Sequence, residues 1–176
     1  MDFTDRLAEV LHDAWGMKVH GSFAADAGIV FNAGVFAAPH EEADYQEGKY
    51  SFYYCERASR GAALFQTTNR QVFDHCVLQY YGNPLRSRYG FPELTLGNTA
   101  SIRSGWTMVR TGSSLRHDYL GIRSDDGKFY PCKTGDFRLL AGLSHVVEYS
   151  PIDVLECYLR PDAAPLLTQW VSKPAG

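Results

Sequence analysis

The chain has 176 residues, of which 45% are apolar and 21% charged, a size and composition typical of one globular domain that needs no metal or disulfide to fold. Its net charge of −3 argues against free nucleic acid as a partner. It also lacks the apolar run of about 20 residues that crosses a membrane and the basic, then apolar, start of a secretory signal. We therefore expect a single domain over residues 1–176 that acts in the cytosol.

The first predicted element is a helix over residues 3–15, which carries apolar residues at helical spacing between a cap at Asp2 and a stop at Gly16. The β-branched segment 28–36, bounded by glycine, predicts one or two strands. The acidic segment HEEADYQEG, residues 40–48, predicts a polar loop whose carboxylates stay in water.

An antiparallel hairpin follows in the prediction. Residues 50–57 alternate in the manner of a strand, the turn ASRG comes next, and residues 62–68 form the second strand. Thr68 or Asn69 then caps a helix whose apolar spacing places Tyr80 on the buried stripe. Gly82 and Pro84 would end this helix, with glycine just past the last turn and proline beyond it.

The second half of the chain predicts three more strands and two helices. The strands are GWTMVR, YLGIRS and KFYPCK, and the last two flank the tight-turn sequence DDG. Asp136 caps one C-terminal helix, and Ser150 followed by Pro151 begins another. These elements predict an α+β fold, a mostly antiparallel sheet with an N-terminal helix, a central helix and two C-terminal helices.

Neither cysteines nor histidines show the spacing of a metal site. Cys55, Cys76, Cys132 and Cys157 are scattered, and we expect them to be reduced and buried. The histidines also lack metal-ligand spacing; they are His12, His20, His40, His75 and His145. We therefore predict no metal, no disulfide and no cofactor.

The sequence contains no phosphate-binding glycine loop, nucleophile elbow or zinc-binding His-Glu-x-x-His helix. The best acid–base candidate is His117 with Asp118, in SSLRHDYL. Neighbouring residues on a strand face opposite ways, and an exposed pair in a loop is usually only solvated. One alternative function is nonetheless a small hydrolase or transferase that uses this pair, with Arg86 or Arg88 holding an anion.

The two C-terminal helices suggest a second alternative, a helix-turn-helix regulator. A recognition helix needs basic and amide side chains, whereas the last helix carries Asp153 and Glu156, which DNA would repel. We therefore interpret the pair as packed structural helices.

The segment YYGNPLRSRYGFPEL, residues 80–94, combines aromatic, basic and turn-forming residues. Arg86 and Arg88 could grip a planar anion. Arginines in such a segment more often cover aromatic rings or pair with neighbours, and no other anion-binding element accompanies them. We favour a structural role, in which this segment is a corner pinned against the core.

Two long segments carry a resemblance to a known family. Residues 50–94 and 143–166 resemble bacterial polymorphic-toxin immunity proteins, and most closely those that neutralise the tuberculosis necrotizing toxin, a secreted NAD⁺ glycohydrolase. The matching motifs are a helix ending in Gly, then Arg-x-x-x-Gly-x-Pro, then a late helix begun by Ser-Pro; in this chain they are Gly82, Arg86, Gly90, Pro92, Ser150 and Pro151. The resemblance implies a non-enzymatic antitoxin that binds its cognate toxin in a one-to-one complex and blocks the active site.

A site that receives the phosphates of a dinucleotide carries positive charge, so an acidic, aromatic segment is a suitable plug. Two segments meet this description, and the candidate toxin contacts are Glu41, Glu42, Asp44 and Tyr45 in the first and Arg116, His117, Asp118 and Tyr119 in the second.

Overall fold

The computed structural model describes residues 2–23, 28–31, 39–56, 59–97, 101–112 and 118–173. Within these ranges, eight strands form one sheet in the order β1-β2-β3-β4-β5-β8-β7-β6, and every neighbouring pair is antiparallel. The strands are β1 Val19–Ser22, β2 Gly28–Phe31, β3 His40–Gln46, β4 Lys49–Glu56, β5 Ser59–Thr67, β6 Trp106–Arg110, β7 Tyr119–Ser124 and β8 Phe129–Thr134.

Four α-helices accompany the sheet in the described ranges: α1 Phe3–Trp15, α2 Arg70–Arg88, α3 Phe137–Val146 and α4 Pro151–Tyr158. Helix α2 contacts β4, β5 and β8, while α3 contacts β7. Helices α1 and α4 pack against α2 and against each other. The α+β prediction is therefore confirmed, with one N-terminal, one central and two C-terminal helices. Among the described residues, no helix is both long enough and apolar enough to span a membrane.

Local capping signals place the helix starts where the sequence predicts them. The Asp2 carboxylate accepts the Asp5 amide proton at 2.9 Å, and Asn69 and Asp136 do the same for Val72 and Arg138. Gly16 ends α1 in the left-handed conformation, with φ of 67°.

The predicted end of the central helix is wrong. Helix α2 continues through Gly82 and Pro84 and stops only at Arg88, so the segment that looked like a corner forms its last two turns. Tertiary contacts explain the extension, because the bare Gly82 lets the Tyr158 ring of α4 lie directly on the helix backbone. Gly90, with φ of 71°, supplies the turn that leaves the helix.

The predicted acidic loop is also wrong, because residues 40–46 form β3, in the interior of the sheet between β2 and β4. Only Glu47 and Gly48 turn the chain into β4. The predicted hairpins β4–β5 and β7–β8 are confirmed, the second with Gly127 at a φ of 91° in its turn.

The core lies between the helices and the sheet. Phe73 of α2 lies at its centre, with ring-centroid distances of 5.5 Å to Tyr50, 5.7 Å to Phe65 and 6.5 Å to Phe52. Further along the sheet, the thiols of Cys76 on α2 and Cys132 on β8 lie 3.7 Å apart. All four cysteines are buried free thiols, and the predicted burial is therefore confirmed.

Candidate functional site

Strand β3 distributes the predicted acidic contacts over both faces of the sheet. Glu41 and Tyr45 pair with Tyr54 and Tyr50 of β4 and point to the helix side. Glu42 and Asp44 alternate with them and point to the opposite side, here called the outer face. Because the four side chains lie on opposite faces of the sheet, one flat interface cannot contact all of them, whereas an exposed loop could have presented them together.

Glu41 is held in place by the central helix. Its carboxylate accepts a hydrogen bond from the Tyr80 hydroxyl at 2.8 Å and another from the Tyr81 hydroxyl at 2.9 Å. Burial, followed by the Glu41 charge, raises the pKa of both tyrosines, so both remain donors across the physiological pH range. The result is an oriented negative charge beside aromatic rings.

Three aromatic side chains stay exposed around this carboxylate. Trp15 is 38% exposed, Tyr80 37% and Tyr54 39%. A groove of about 410 Å³ beside this carboxylate is lined by Trp15, Met17, Glu41, Tyr80, Tyr81 and Pro84, while Tyr54 flanks Glu41 on the neighbouring strand β4. We call this feature the aromatic groove. Large, half-exposed aromatic side chains of this kind are the residues that anchor protein interfaces.

A second cavity of about 400 Å³ adjoins the aromatic groove, since Tyr80 and Pro84 line both. It lies between α2, β5, β8 and α3, with Asp136 and Arg138 among its lining residues. The Gln79 side-chain amide is buried here, and neither its oxygen nor its nitrogen has a hydrogen-bond partner among the described residues. An unpaired buried amide is unfavourable for the isolated protein and is available to a polar group that enters the cavity.

On the outer face, the carboxylates of Glu42 and Asp44 form ion pairs with one arginine of the same sheet. The Arg60 guanidinium of β5 donates to Glu42 at 2.8 Å and to Asp44 at 2.7 Å, and it stacks over the Tyr53 ring at 4.4 Å. Burial works to raise the pKa of Glu42, but hydrogen bonds from His40 and Arg60 outweigh it and hold the pKa below its ordinary value. Glu42 and Asp44 are therefore ion-paired strand residues, whereas the sequence predicted solvated ones.

The second predicted contact segment falls largely outside the described residues, which is where Arg116 and His117 lie. The Asp118 carbonyl accepts a hydrogen bond from the Thr111 amide at 3.0 Å. Tyr119 belongs to β7 and is buried, with the Arg110 guanidinium over its ring at 5.3 Å. The His117–Asp118 pair remains a prediction.

Arg86 has the structural role that the sequence favoured. Its side chain is fully buried and donates to four carbonyl oxygens, those of Pro92, Tyr158, Arg160 and Pro161, at 2.6–3.2 Å. Arg88 donates to the Ala14 carbonyl at 2.7 Å and ties α2 to the end of α1. Four of the five N–H donors of Arg86 are bonded to carbonyls, so this residue has no free pair of donors with which to grip a planar anion.

The C-terminal helix pair is likewise part of the fold. Glu156 on α4 accepts from Arg6 of α1 at 2.8 Å, and Tyr158 packs on Gly82 of α2. The helix that would have to read DNA thus packs against two other helices.

Sequence reasoning missed the exposed aromatics of the groove. It placed Tyr80 on the buried stripe of α2, but Tyr81 is the buried residue and Tyr80 faces the groove. The extension of the helix past Gly82 brings Pro84 into the same surface. Trp15 and Tyr54 carry no signal of their own, because only tertiary contacts bring them beside Glu41.

A family comparison identifies the class of this protein. The family model for immunity protein 61 matches residues 32–166, which is more than three-quarters of the chain. The chain belongs to the immunity protein 61 family. It is therefore an immunity protein, of the kind that protects a bacterium by binding a cognate toxin.

This immunity protein also resembles a solved structure, described as Rv3902c from M. tuberculosis. The two chains superpose with a TM-score of 0.68 at 20% sequence identity, over 93% of this chain and 92% of the other. At that identity the likeness establishes a shared fold. No curated protein sequence matches the chain.

Proposed function

We propose that this immunity protein inhibits an NAD⁺ glycohydrolase toxin in the cytosol of the producing cell by binding over the toxin's active site. Membership of the immunity protein 61 family is the observation that carries a toxin-binding role. The toxin class rests on the resemblance of residues 50–94 and 143–166 to proteins that neutralise the tuberculosis necrotizing toxin. The proposed complex contains one toxin and one immunity protein, which acts as a single domain of residues 1–176.

The aromatic groove is the surface that we assign to the toxin. Trp15 and Tyr80 in the groove, and Tyr54 beside Glu41, offer apolar area with few rotatable bonds, so ordering them on binding costs little entropy. Glu41 adds a negative charge that two tyrosine hydroxyls already orient. A toxin cleft that binds the phosphates of NAD⁺ is positively charged, and this arrangement complements it. Of the four acidic-segment residues, Glu41 and Tyr45 lie on the groove side, while Glu42 and Asp44 lie on the opposite face and share an ion pair with Arg60.

Co-expression with the toxin gene neighbouring the immunity gene tests the function. We expect cells that express the toxin domain alone to lose NAD⁺ and die, and cells that also express this protein to keep both NAD⁺ and viability. Purified toxin should hydrolyse NAD⁺ until an equimolar amount of immunity protein is added. A toxin that kills without consuming NAD⁺, yet is still neutralised, would leave the immunity role intact and overturn the proposed toxin class.

Substitutions in the groove test the surface. We expect Trp15→Ala and Tyr80→Ala each to weaken toxin binding at least tenfold, because truncating a central aromatic anchor costs about 2 kcal/mol. Tyr81 would still hold Glu41 in the second variant. Phe129→Ala is the matched control, since this exposed ring lies on β8 away from the groove. Calorimetric titration with the toxin measures the affinities. A loss of affinity only in the Phe129→Ala control would place the toxin-binding surface outside the groove.

The second predicted contact segment, which leads into β7, is also proposed to contact the toxin. Asp118→Lys reverses the charge at the described end of the segment that contains Arg116 and His117. If this segment also meets a positively charged cleft, the substitution should slow association with the toxin, and high salt should reduce the difference from wild type. Stopped-flow binding at two salt concentrations measures this effect, and unchanged rates would remove the segment from the interface.

A further inference from the structure

Three potential metal ligands meet on the outer face of the sheet. His40 and Glu42 are two residues apart on β3 and therefore point the same way, and Cys55 of β4 pairs directly with His40. Their ligand atoms all lie within 4.8 Å of one another, and the His40 Nε2 and Glu42 Oε1 atoms are 3.0 Å apart. Cys55 is buried, while His40 and Glu42 are partly buried.

The donor set suits zinc. Thiolate, imidazole and carboxylate are the ligands that Zn²⁺ takes in proteins, at bond lengths of about 2.0–2.3 Å. Calcium and magnesium prefer sets made only of oxygen. Around a tetrahedral ion with such bonds, the ligand atoms lie about 3.5 Å apart. Movements of about 1 Å by the three side chains would bring their ligand atoms to this spacing. Three protein ligands leave the fourth position to water.

Surrounding residues already orient the carboxylate. Arg60 donates to Oε2 of Glu42, which leaves Oε1 turned toward His40. Asp44 holds the same guanidinium at 2.7 Å, and the Tyr53 ring lies beneath it. Hydrogen bonds of this kind to a ligating carboxylate fix its direction and raise metal affinity. A zinc ion with one thiolate and one carboxylate is neutral, and Asp44 then balances the charge of Arg60.

We propose that His40, Glu42 and Cys55 form a zinc-binding site on the outer face, with Arg60 supporting Glu42. On binding, the Cys55 thiol loses its proton to solvent and its sulfur bonds to the metal. The ring proton of neutral His40 moves from Nε2 to Nδ1, and Nε2 of His40 and Oε1 of Glu42 exchange their mutual contact for bonds to the ion. Burial and the Glu42 charge raise the pKa of the Cys55 thiol in the metal-free protein, so binding strengthens as pH rises. The bound ion would link β3 to β4 behind Glu41.

Cobalt titration of the metal-free, full-length protein gives the direct test, because Co²⁺ bound to thiolate has an intense sulfur-to-metal absorption. We expect one equivalent to produce this band, zinc to displace it, and a dissociation constant for zinc below about 1 μM. One proton per ion should be released in weakly buffered solution. Thermal unfolding with and without zinc reports the accompanying stabilisation.

Three variants separate a built site from other binding. Cys55→Ser should abolish the absorption band, whereas Cys157→Ser, which removes another buried thiol outside the triad, should keep it. His40→Gln changes a partly exposed residue, so the fold survives even if Cys55→Ser is unstable, and it should weaken zinc binding at least tenfold. Overturning results are a wild-type protein without the cobalt–thiolate band, zinc binding weaker than about 100 μM, or equal binding by His40→Gln.

Discussion

At the residue scale, one charged side chain in the core organises the C-terminal part of the fold. Arg86 joins α2 to the segment after it and to the end of α4, and all of its partners are backbone carbonyls. Carbonyls that have no helical partner need donors when they are buried. A planar guanidinium reaches several of them at once, which explains an arginine in the interior.

We expect Arg86→Lys to lower the free energy of unfolding by about 3 kcal/mol or more, because an ammonium cannot reach four carbonyls and leaves some unsatisfied. Arg88→Lys is the matched control. Arg88 is exposed and donates to one carbonyl, so its replacement should cost less than about 1 kcal/mol. Urea denaturation followed by circular dichroism measures both, and equal losses would contradict the structural role of Arg86.

His75 makes stability depend on pH. Its ring is fully buried on α2, and Nε2 lies 3.0 Å from the Tyr149 carbonyl, to which it donates in the neutral ring. Burial lowers the pKa of His75 to about 4, so the unfolded chain, with an ordinary pKa near 6.5, binds a proton that the folded protein rejects. The resulting stability is fully present above about pH 6.5 and is lost as the pH falls toward 4.

The His75→Gln variant isolates this contribution, because glutamine can still donate to the Tyr149 carbonyl but does not titrate. Between pH 6.5 and pH 4, we expect the wild type to lose about 3 kcal/mol more unfolding free energy than the variant. The difference between the two proteins cancels the contributions of other titrating groups. One of these is the nearby Asp74, since burial raises its pKa to about 6. Parallel pH profiles for the two proteins would show that His75 is not the titrating group.

At the element scale, helix starts follow from local sequence, whereas the end of α2 does not. The caps at Asp2, Asn69 and Asp136 act on amides two or three residues away, so a short window of sequence contains both partners. Gly82 and Pro84 carry a local stop signal that packing overrides, because α4 lies against the helix at Gly82 and Arg86 must be in helical register to reach its carbonyls.

Gly82→Ala tests this packing. In an isolated helix the change stabilises by about 1 kcal/mol, but here the new methyl would overlap the Tyr158 ring. We expect a net loss of about 1–2 kcal/mol in unfolding free energy, since overpacking a core costs more than the helix propensity supplies. Ser87→Ala, at an exposed position of the same helix, should be neutral or slightly stabilising. A stabilised Gly82→Ala would mean that α4 can move aside.

Strand β3 shows a different limit of prediction from local sequence. Its sequence, HEEADYQ, lacks the apolar alternation that predicts a strand, because polar residues occupy both faces. The groups that make these residues acceptable in a sheet are distant in sequence: Arg60 for Glu42 and Asp44, and Tyr80 and Tyr81 for Glu41. No local rule can anticipate partners that far away.

At the scale of the whole molecule, the sheet has a narrow seam between β5 and β8, where only two residue pairs are in register. Two threonines strengthen it reciprocally. Thr67 of β5 donates to the Pro131 carbonyl of β8, and Thr134 of β8 donates to the Leu64 carbonyl of β5. Each hydroxyl also accepts the amide proton of the residue that caps the next helix, Asn69 or Asp136. The seam and the starts of α2 and α3 are therefore coupled.

We expect Thr67→Val and Thr134→Val each to reduce the unfolding free energy by about 1–2 kcal/mol, because each leaves a carbonyl and an amide without a partner. Thr107→Val, on the exposed side of β6, should change it by less than about 0.5 kcal/mol. Denaturant titration with an unchanged slope would indicate that the sheet still unfolds as one unit. Two separate transitions in either seam variant would show that the halves fold independently.

Sequence alone determined the fold class, the helix starts and the tight hairpins, because periodicity, capping and turn chemistry depend on residues close together in the chain. It only favoured a structural role for Arg86, since three of the carbonyls that Arg86 binds belong to residues 158–161. Tertiary structure decided that the acidic segment is a strand, that α2 continues through proline, and which side chains share a surface. The aromatic groove brings together Trp15, Glu41 and Tyr80, and the triad joins His40 to Cys55. Such groupings depend on which strands pair and which faces are buried, and those choices follow from packing of the whole chain.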